Sequence, residues 1–116
     1  MPNIRKNKVS CQDYNSEMEI TVEILSGKWV VLLLSLLSEE KVVRFNQFKK
    51  VFPEITQKML SQQLKKLEES KIIQKKIYNE MPPKVEYSLT FDGEHLIPVL
   101  EQMQKWGQEY LNKKRV

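Results

Sequence analysis

The chain has very few of the residues from which catalytic and metal-binding sites are usually built. Its 116 residues include one histidine, one cysteine and three glycines. The histidine, His95, lies close to Asp92 and Glu94 at the expected start of a helix, where a solvated surface histidine is the ordinary interpretation. No Cys and His spacing is typical of a zinc site, and glycine is too scarce for a phosphate-cradling loop. We therefore expect no enzyme activity, no catalytic residue, no metal and no cofactor.

A long apolar segment is also missing. The most apolar stretch, residues 30–37, falls far short of the ~18 apolar residues of a membrane-spanning helix. The N-terminus is polar and basic, unlike a secretory signal, and Cys11 alone cannot form an intrachain disulfide. We expect one cytoplasmic domain at residues 16–112, preceded by an arm at residues 1–15 and followed by a basic tail at residues 113–116.

Positive charge is concentrated in the middle of the chain. Residues 41–76 contain ten basic and three acidic residues, a net charge of +7 in a chain whose total is +4. The flanking segments, residues 9–40 and 77–112, carry net charges of −5 and −4. General solubility would not require so localised a patch. The partner that it fits best is a regular polyanion such as duplex DNA.

The hydrophobic pattern predicts a mainly helical fold with a small β hairpin. Ser16 is a suitable N-cap for a first helix, and the almost wholly apolar residues 28–37 predict a second helix buried on several sides. Residues 42–45 form a short extended segment. Asn46 is a candidate N-cap for a short third helix, which Pro53 ends.

Residues 56–69 predict a two-faced helix. Leu60, Leu64 and Leu67 recur at i, i+4 and i+7 on one face, and a polar stripe lies about 130° away at the ~100° turn per residue of a helix. A helix that enters a major groove needs one apolar face for its own domain and one polar face for DNA. An ordinary solvated face is the alternative. The neighbouring helix, hairpin and charge favour DNA contacts by Thr56, Gln57, Lys58, Ser61, Gln62 and Lys65.

Two alternating segments, residues 72–78 and 85–89, predict the strands of the hairpin, with a tip that Pro82 and Pro83 stiffen. A stiff basic hairpin can lie along a phosphate backbone or enter a minor groove. A plain surface hairpin is the alternative. We assign Lys75, Lys76 and Lys84 to a DNA-binding wing, and Arg44 and Asn46 to the flank of that wing.

One long last helix is expected from Thr90 to about Leu111, with Pro98 costing a hydrogen bond and bending it. Its apolar residues form two strips, and one strip would suffice for docking on a small domain. The other resembles a coiled-coil seam with 3-4-3-4 spacing and predicts contact with a symmetric partner, although burial of both strips in the core is the alternative. The predicted dimerisation residues are Leu96, Val99, Met103, Trp106 and Tyr110.

The chain resembles the HxlR-type group of bacterial MarR-like winged-helix regulators over about residues 20–111. The resemblance rests on Gly27-Lys28-Trp29, Arg44-Phe45, Phe48, residues 55–60, Gln63-Leu64, Leu67-Glu68, residues 80–90, Gly93 and Trp106. It implies a winged helix-turn-helix with additional N- and C-terminal dimerisation helices. It also implies a recognition helix at residues 56–69 and a wing at residues 75–84. Some members of this group sense oxidants or electrophiles through a cysteine near the first helix, which makes Cys11 a candidate redox sensor.

We therefore expect a homodimeric, sequence-specific regulator of transcription that binds a pseudo-palindromic operator in double-stranded DNA and does not enter a membrane. The alternative is a winged-helix module that uses its basic face on an acidic protein. Cys11, for its part, could be an inert thiol in the arm.

Overall fold

The computed structural model describes residues 16–114. In these residues six helices and three strands follow one another. The helices are α1 (Glu17–Leu25), α2 (Lys28–Glu40), α3 (Phe45–Val51), α4 (Gln57–Glu69), α5 (Phe91–Glu94) and α6 (Ile97–Lys114). The strands are β1 (Val42–Arg44), β2 (Ile73–Tyr78) and β3 (Lys84–Leu89). The fold is a winged helix-turn-helix, as the sequence predicts, with a small antiparallel sheet in the order β1-β3-β2.

The first two helices meet at a sharp corner. Ser16 caps α1, because its Oγ accepts a hydrogen bond of 3.2 Å from the Glu19 backbone nitrogen. Gly27, at φ 99°, turns the chain into α2 in a conformation that other residues rarely adopt. The chain changes direction by 85° between the two helices. No single helix within residues 16–114 is long and apolar enough to cross a membrane, and only the bent α1–α2 pair has the combined length and composition.

Helix α2 is the centre of the core, as its apolar circumference predicts. Its side chains at Val30, Leu33, Leu34 and Leu37 are at most 1% exposed. It contacts α4, α6 and the strands β1 and β3. Burial of four such side chains contributes on the order of 1.5–3 kcal/mol each, so α2 is the frame on which the other elements are positioned.

The cap of α3 differs from the prediction. The helix begins at Phe45, so Asn46 lies inside its first turn and is not the N-cap. The exposed backbone N–H of Arg44 instead donates a 2.7 Å hydrogen bond to the Gln47 side-chain oxygen. This arrangement lets the chain pass directly from β1 into α3, because a side chain three residues ahead satisfies the free donor.

The C-terminal part contains two helices where one was predicted. Thr90 caps the four-residue α5 through a hydrogen bond from the Gly93 backbone nitrogen to Thr90 Oγ1 (3.1 Å), and α6 begins only at Ile97. A side chain at position 93 would collide with the backbone carbonyl of Ile72, so glycine permits the close approach of α5. Pro98 lies in the first turn of α6, where backbone nitrogens have no intrahelical acceptor. The predicted loss of a hydrogen bond at Pro98 is therefore wrong. Helix α6 continues to Lys114.

Candidate nucleic-acid interface

Helix α4 has the two faces that its sequence predicts. Leu60, Leu64 and Leu67 are at most 2% exposed and fix the helix on the core. The polar stripe faces solvent, and every side chain assigned to DNA contact is exposed: Thr56, Gln57, Lys58, Ser61, Gln62 and Lys65. The stripe therefore contains donors and acceptors that are free of the core and available to a groove.

The turn between α3 and α4 holds the start of α4 in place. Thr56 Oγ1 accepts a 3.0 Å hydrogen bond from the Met59 backbone nitrogen, which confirms Thr56 as the N-cap. Lys49 Nζ donates a 2.8 Å hydrogen bond to the Ile55 carbonyl, and the Ile55 side chain is 1% exposed. The helix start is thus tied to α3 by a charge-assisted hydrogen bond and by burial. Lys49 serves this turn, and the sequence pattern had no signal for that role.

The wing and the flank border a common cleft. Arg44 at the end of β1 and Asn46 in α3 are both exposed, and they lie across a cleft of about 470 Å³ from Pro82, Pro83 and Lys84 of the wing. A second cleft, of about 400 Å³, is lined by Ser61 and Lys65 of α4 and by Lys75 of the wing. The structure therefore brings the predicted flank residues to the wing tip and α4 to the wing base.

The outer face of the sheet, which points away from the core, carries four charged side chains. Strand pairing aligns Arg44 with Glu86 on one side and Glu86 with Lys76 on the other. In the next row Lys84 pairs with Tyr78. The cations at 44, 76 and 84 thus surround a single carboxylate. Lys84 Nζ lies 3.4 Å from Glu86 Oε2, and the two side chains are 28% and 20% exposed.

Tyr78 completes this outer-face cluster. The Nζ atoms of Lys76 and Lys84 lie 5.0 Å and 4.7 Å from its ring centroid, a distance at which an ammonium ion is attracted to the ring face. A hydrogen bond from the Tyr78 hydroxyl, and then the Lys84 and Arg44 charges, hold the pKa of the Glu86 carboxyl below its usual 4.5, although partial desolvation opposes them. Sequence reasoning missed Tyr78 and Glu86. Their i and i+2 spacing from Lys76 and Lys84 in a short hairpin was the available signal.

The predicted seam on the last helix is largely exposed. Val99 is 40%, Met103 46%, Trp106 65% and Tyr110 47% exposed, while Leu96, just before α6, is half-buried. The Trp106 and Tyr110 rings stack with centroids 5.2 Å apart. On α1, Met18 and Val22 are 61% and 58% exposed. Exposed apolar side chains that follow one face of a helix are typical of an interaction site. Cys11 lies outside the described residues.

Comparison with known proteins matches the chain to the HxlR-like helix-turn-helix family over residues 24–115. The HTH-type transcriptional regulator YdeP of Bacillus subtilis (strain 168) is 44% identical over 107 residues, covering 87% of this chain and 83% of YdeP. The reduced form of the redox regulator HypR superposes with a TM-score of 0.81 at 39% identity, covering 86% of this chain and 98% of that chain. Diamide-treated YodB from B. subtilis superposes with a TM-score of 0.70 at 33% identity, covering 84% and 96%.

Proposed function

This chain belongs to the HxlR-like helix-turn-helix family and is a DNA-binding transcriptional regulator, and we propose that it acts in the cytoplasm as a homodimer on a pseudo-palindromic operator. In the proposed complex α4 enters the major groove, and the wing contacts the phosphate backbone beside it. The observation that carries this proposal is the pair of clefts through which α4 and the flank both border the wing.

The base contacts are proposed for the middle of the α4 stripe. Gln57 and Gln62 can donate to and accept from adenine, and Lys58 can reach guanine or phosphate. Ser61 is short enough to let the helix approach closely. Thr56 already uses its hydroxyl as a cap, and Lys65 borders the cleft toward the wing. These two residues are therefore proposed as backbone contacts that set the register.

The homodimer is proposed from the apolar surface that one protomer leaves uncovered. The seam on α6 exposes Val99, Met103, Trp106 and Tyr110, and α1 exposes Met18 and Val22. Large apolar side chains clustered on one face are typical of interaction sites. Two copies related by a two-fold axis would bury the same patch on each side. Their recognition helices would then enter successive major grooves about 34 Å apart.

A thiol-linked input is also proposed. HypR is described as a redox regulator, and YodB has been crystallised after diamide treatment. The only thiol of this chain is Cys11. Any disulfide that it forms must therefore join two chains or a chain and a small thiol.

The test is a selection followed by a titration. Duplexes recovered from a random DNA pool should share a pseudo-palindromic sequence, and the winning duplex should bind at least ~1,000-fold more tightly than mixed-sequence DNA. Its affinity should fall steeply as salt rises. Light scattering should give twice the mass of one chain. A pool that yields no common sequence would favour the alternative, a winged-helix module that binds an acidic protein.

A further inference from the structure

One acidic side chain lies in the middle of the basic outer face of the wing. Coulomb's law alone predicts that a carboxylate here repels DNA phosphate and weakens binding. Glu86 is nevertheless held by contacts on several sides: Lys84 at 3.4 Å, the Tyr78 hydroxyl, and Arg44 and Lys76 as its cross-strand partners. Glu86 therefore lies next to each of the cations that are proposed to contact the DNA phosphates.

We propose that Glu86 is a positioning residue for DNA binding, which orders Lys84 and Tyr78 on the wing before DNA arrives. This inference rests on the proposed contact between the wing and the DNA backbone. It predicts an effect of opposite sign to simple charge removal: loss of the Glu86 carboxylate should weaken binding.

The physical reason is the cost of ordering a lysine. A long side chain that becomes fixed in a complex loses rotamer freedom, and preorganisation removes that cost from the binding step. Lys84 is only 28% exposed and lies between the Glu86 carboxylate and the Tyr78 ring. An ammonium group has three donors, so a contact with Glu86 leaves others for a phosphate oxygen. Glu86 therefore holds Lys84 in place and leaves other donors of its ammonium group available to a DNA phosphate.

The chain offers a matched control for charge. Glu80 lies at the exposed tip of the same hairpin. Among residues 16–114 the structure shows no ion pair for it. Glu80→Gln and Glu86→Gln remove the same charge from the same wing, and only the second disrupts the Lys84 contact. We expect Glu86→Gln to bind the selected duplex roughly two- to tenfold more weakly than wild type, and Glu80→Gln to bind as tightly or more tightly.

A double variant separates positioning from damage to the wing. In a Lys84→Ala background Glu86 has no lysine to hold at position 84, so Glu86→Gln should weaken binding much less than it does in the wild-type background. A wing that merely unfolds would weaken binding in both backgrounds and lower the unfolding temperature. Tyr78→Phe, which removes only the hydroxyl, should reproduce part of the loss seen for Glu86→Gln.

Three results would overturn the inference. Glu86→Gln could bind at least as tightly as wild type while Lys84→Ala weakens binding, in which case the wing contact stands and the positioning role fails. The loss could be equal in both backgrounds, which assigns Glu86 to folding. Lys84→Ala could bind like wild type while Gln62→Ala does not, in which case the wing contact fails and removes the inference with it.

Discussion

Lys75 and Lys76 are adjacent in the sequence but lie on opposite faces of the wing. Lys75 pairs across the sheet with Tyr87, and its Nζ lies 3.9 Å from Glu68 Oε1 on α4. Lys76 pairs with Glu86 and lies over the Tyr78 ring. The two lysines therefore have different partners, and only Lys76 belongs to the outer face.

This difference predicts unequal effects on DNA binding. Lys76→Ala and Lys84→Ala should each weaken binding to all sequences by a similar factor, because phosphate contacts carry no base information. Each should flatten the plot of log K against log salt by about one unit. Lys75→Ala removes the same charge one residue away, and we expect a smaller change in slope. Equal salt-dependence slopes for Lys75→Ala and Lys76→Ala would contradict the assignment of the phosphate contacts to the outer face of the sheet.

Gln62 should determine base preference. It is exposed on the polar stripe of α4, whereas Gln63 is half-buried toward the core side. Gln62→Ala should weaken binding to the selected duplex by about 1–3 kcal/mol and change mixed-sequence binding much less. Gln63→Ala is the matched control and should preserve the ratio of the two affinities. An equal loss on both DNAs would move Gln62 to the phosphate backbone.

Local sequence patterns predicted helix caps and helix faces correctly where a single type of residue is enough to define them. Thr56 and Ser16 were identified as N-caps because a side-chain hydroxyl just before an amphipathic segment can accept a hydrogen bond from the first turn of the helix. Both accept the expected backbone hydrogen bond. The faces of α4 followed from helical spacing alone. At α3, however, the side-chain oxygen of Gln47 satisfies the Arg44 nitrogen, so the nearby Asn46 was a misleading signal.

Tertiary packing determined what the sequence pattern did not predict. The position of α5 depends on the close approach of Gly93 to Ile72, a contact between residues 21 positions apart. The opposite facing of Lys75 and Lys76 follows from the pleat, but the partners of each lysine depend on the register with β3. Likewise, the Glu86 cluster appears only when three strands are placed side by side.

The apolar seam on α6 should hold two protomers together. Trp106 is 65% exposed in the protomer, and large aromatic residues dominate the energetics of many interfaces. Trp106→Ala should weaken dimerisation by roughly 2 kcal/mol or more and leave the fold of the protomer intact. Gln108→Ala, on the exposed opposite side of α6, should not change it. Sedimentation at micromolar concentration measures both.

Truncation after Met103 extends this prediction. It removes Trp106 and Tyr110 but leaves Leu100, which anchors α6 in the core. We expect the shortened chain to lose dimerisation and operator binding together, because one protomer reaches only one half-site. A folded monomer that bound the full operator with unchanged affinity would refute the proposed assembly.

Tyr87 should make stability fall at alkaline pH. Burial, and to a lesser extent the Glu68 carboxylate, raise the pKa of its phenol above the usual 10.0. A raised pKa in the folded state means that the stabilisation is present below pH 10.0 and is lost as pH rises through the folded-state pKa. In urea unfolding across this range, Tyr87→Phe should lose less stability than wild type. Parallel losses would show that other groups control alkaline unfolding.

The last prediction concerns Cys11. It precedes α1, whose exposed Met18 and Val22 side chains are assigned to the dimer surface. Because Met18 follows Cys11 closely in the sequence, we expect a disulfide between chains, or with a small thiol, to affect the proposed contact between protomers. A shift of a few ångströms there would disturb the match of two recognition helices to half-sites about 34 Å apart. Diamide or a quinone should consequently lower operator affinity, and a reducing agent should restore it after diamide. Cys11→Ser should bind the operator like the reduced wild type and should not respond. If both proteins respond equally, or neither responds, the input signal does not act through this thiol.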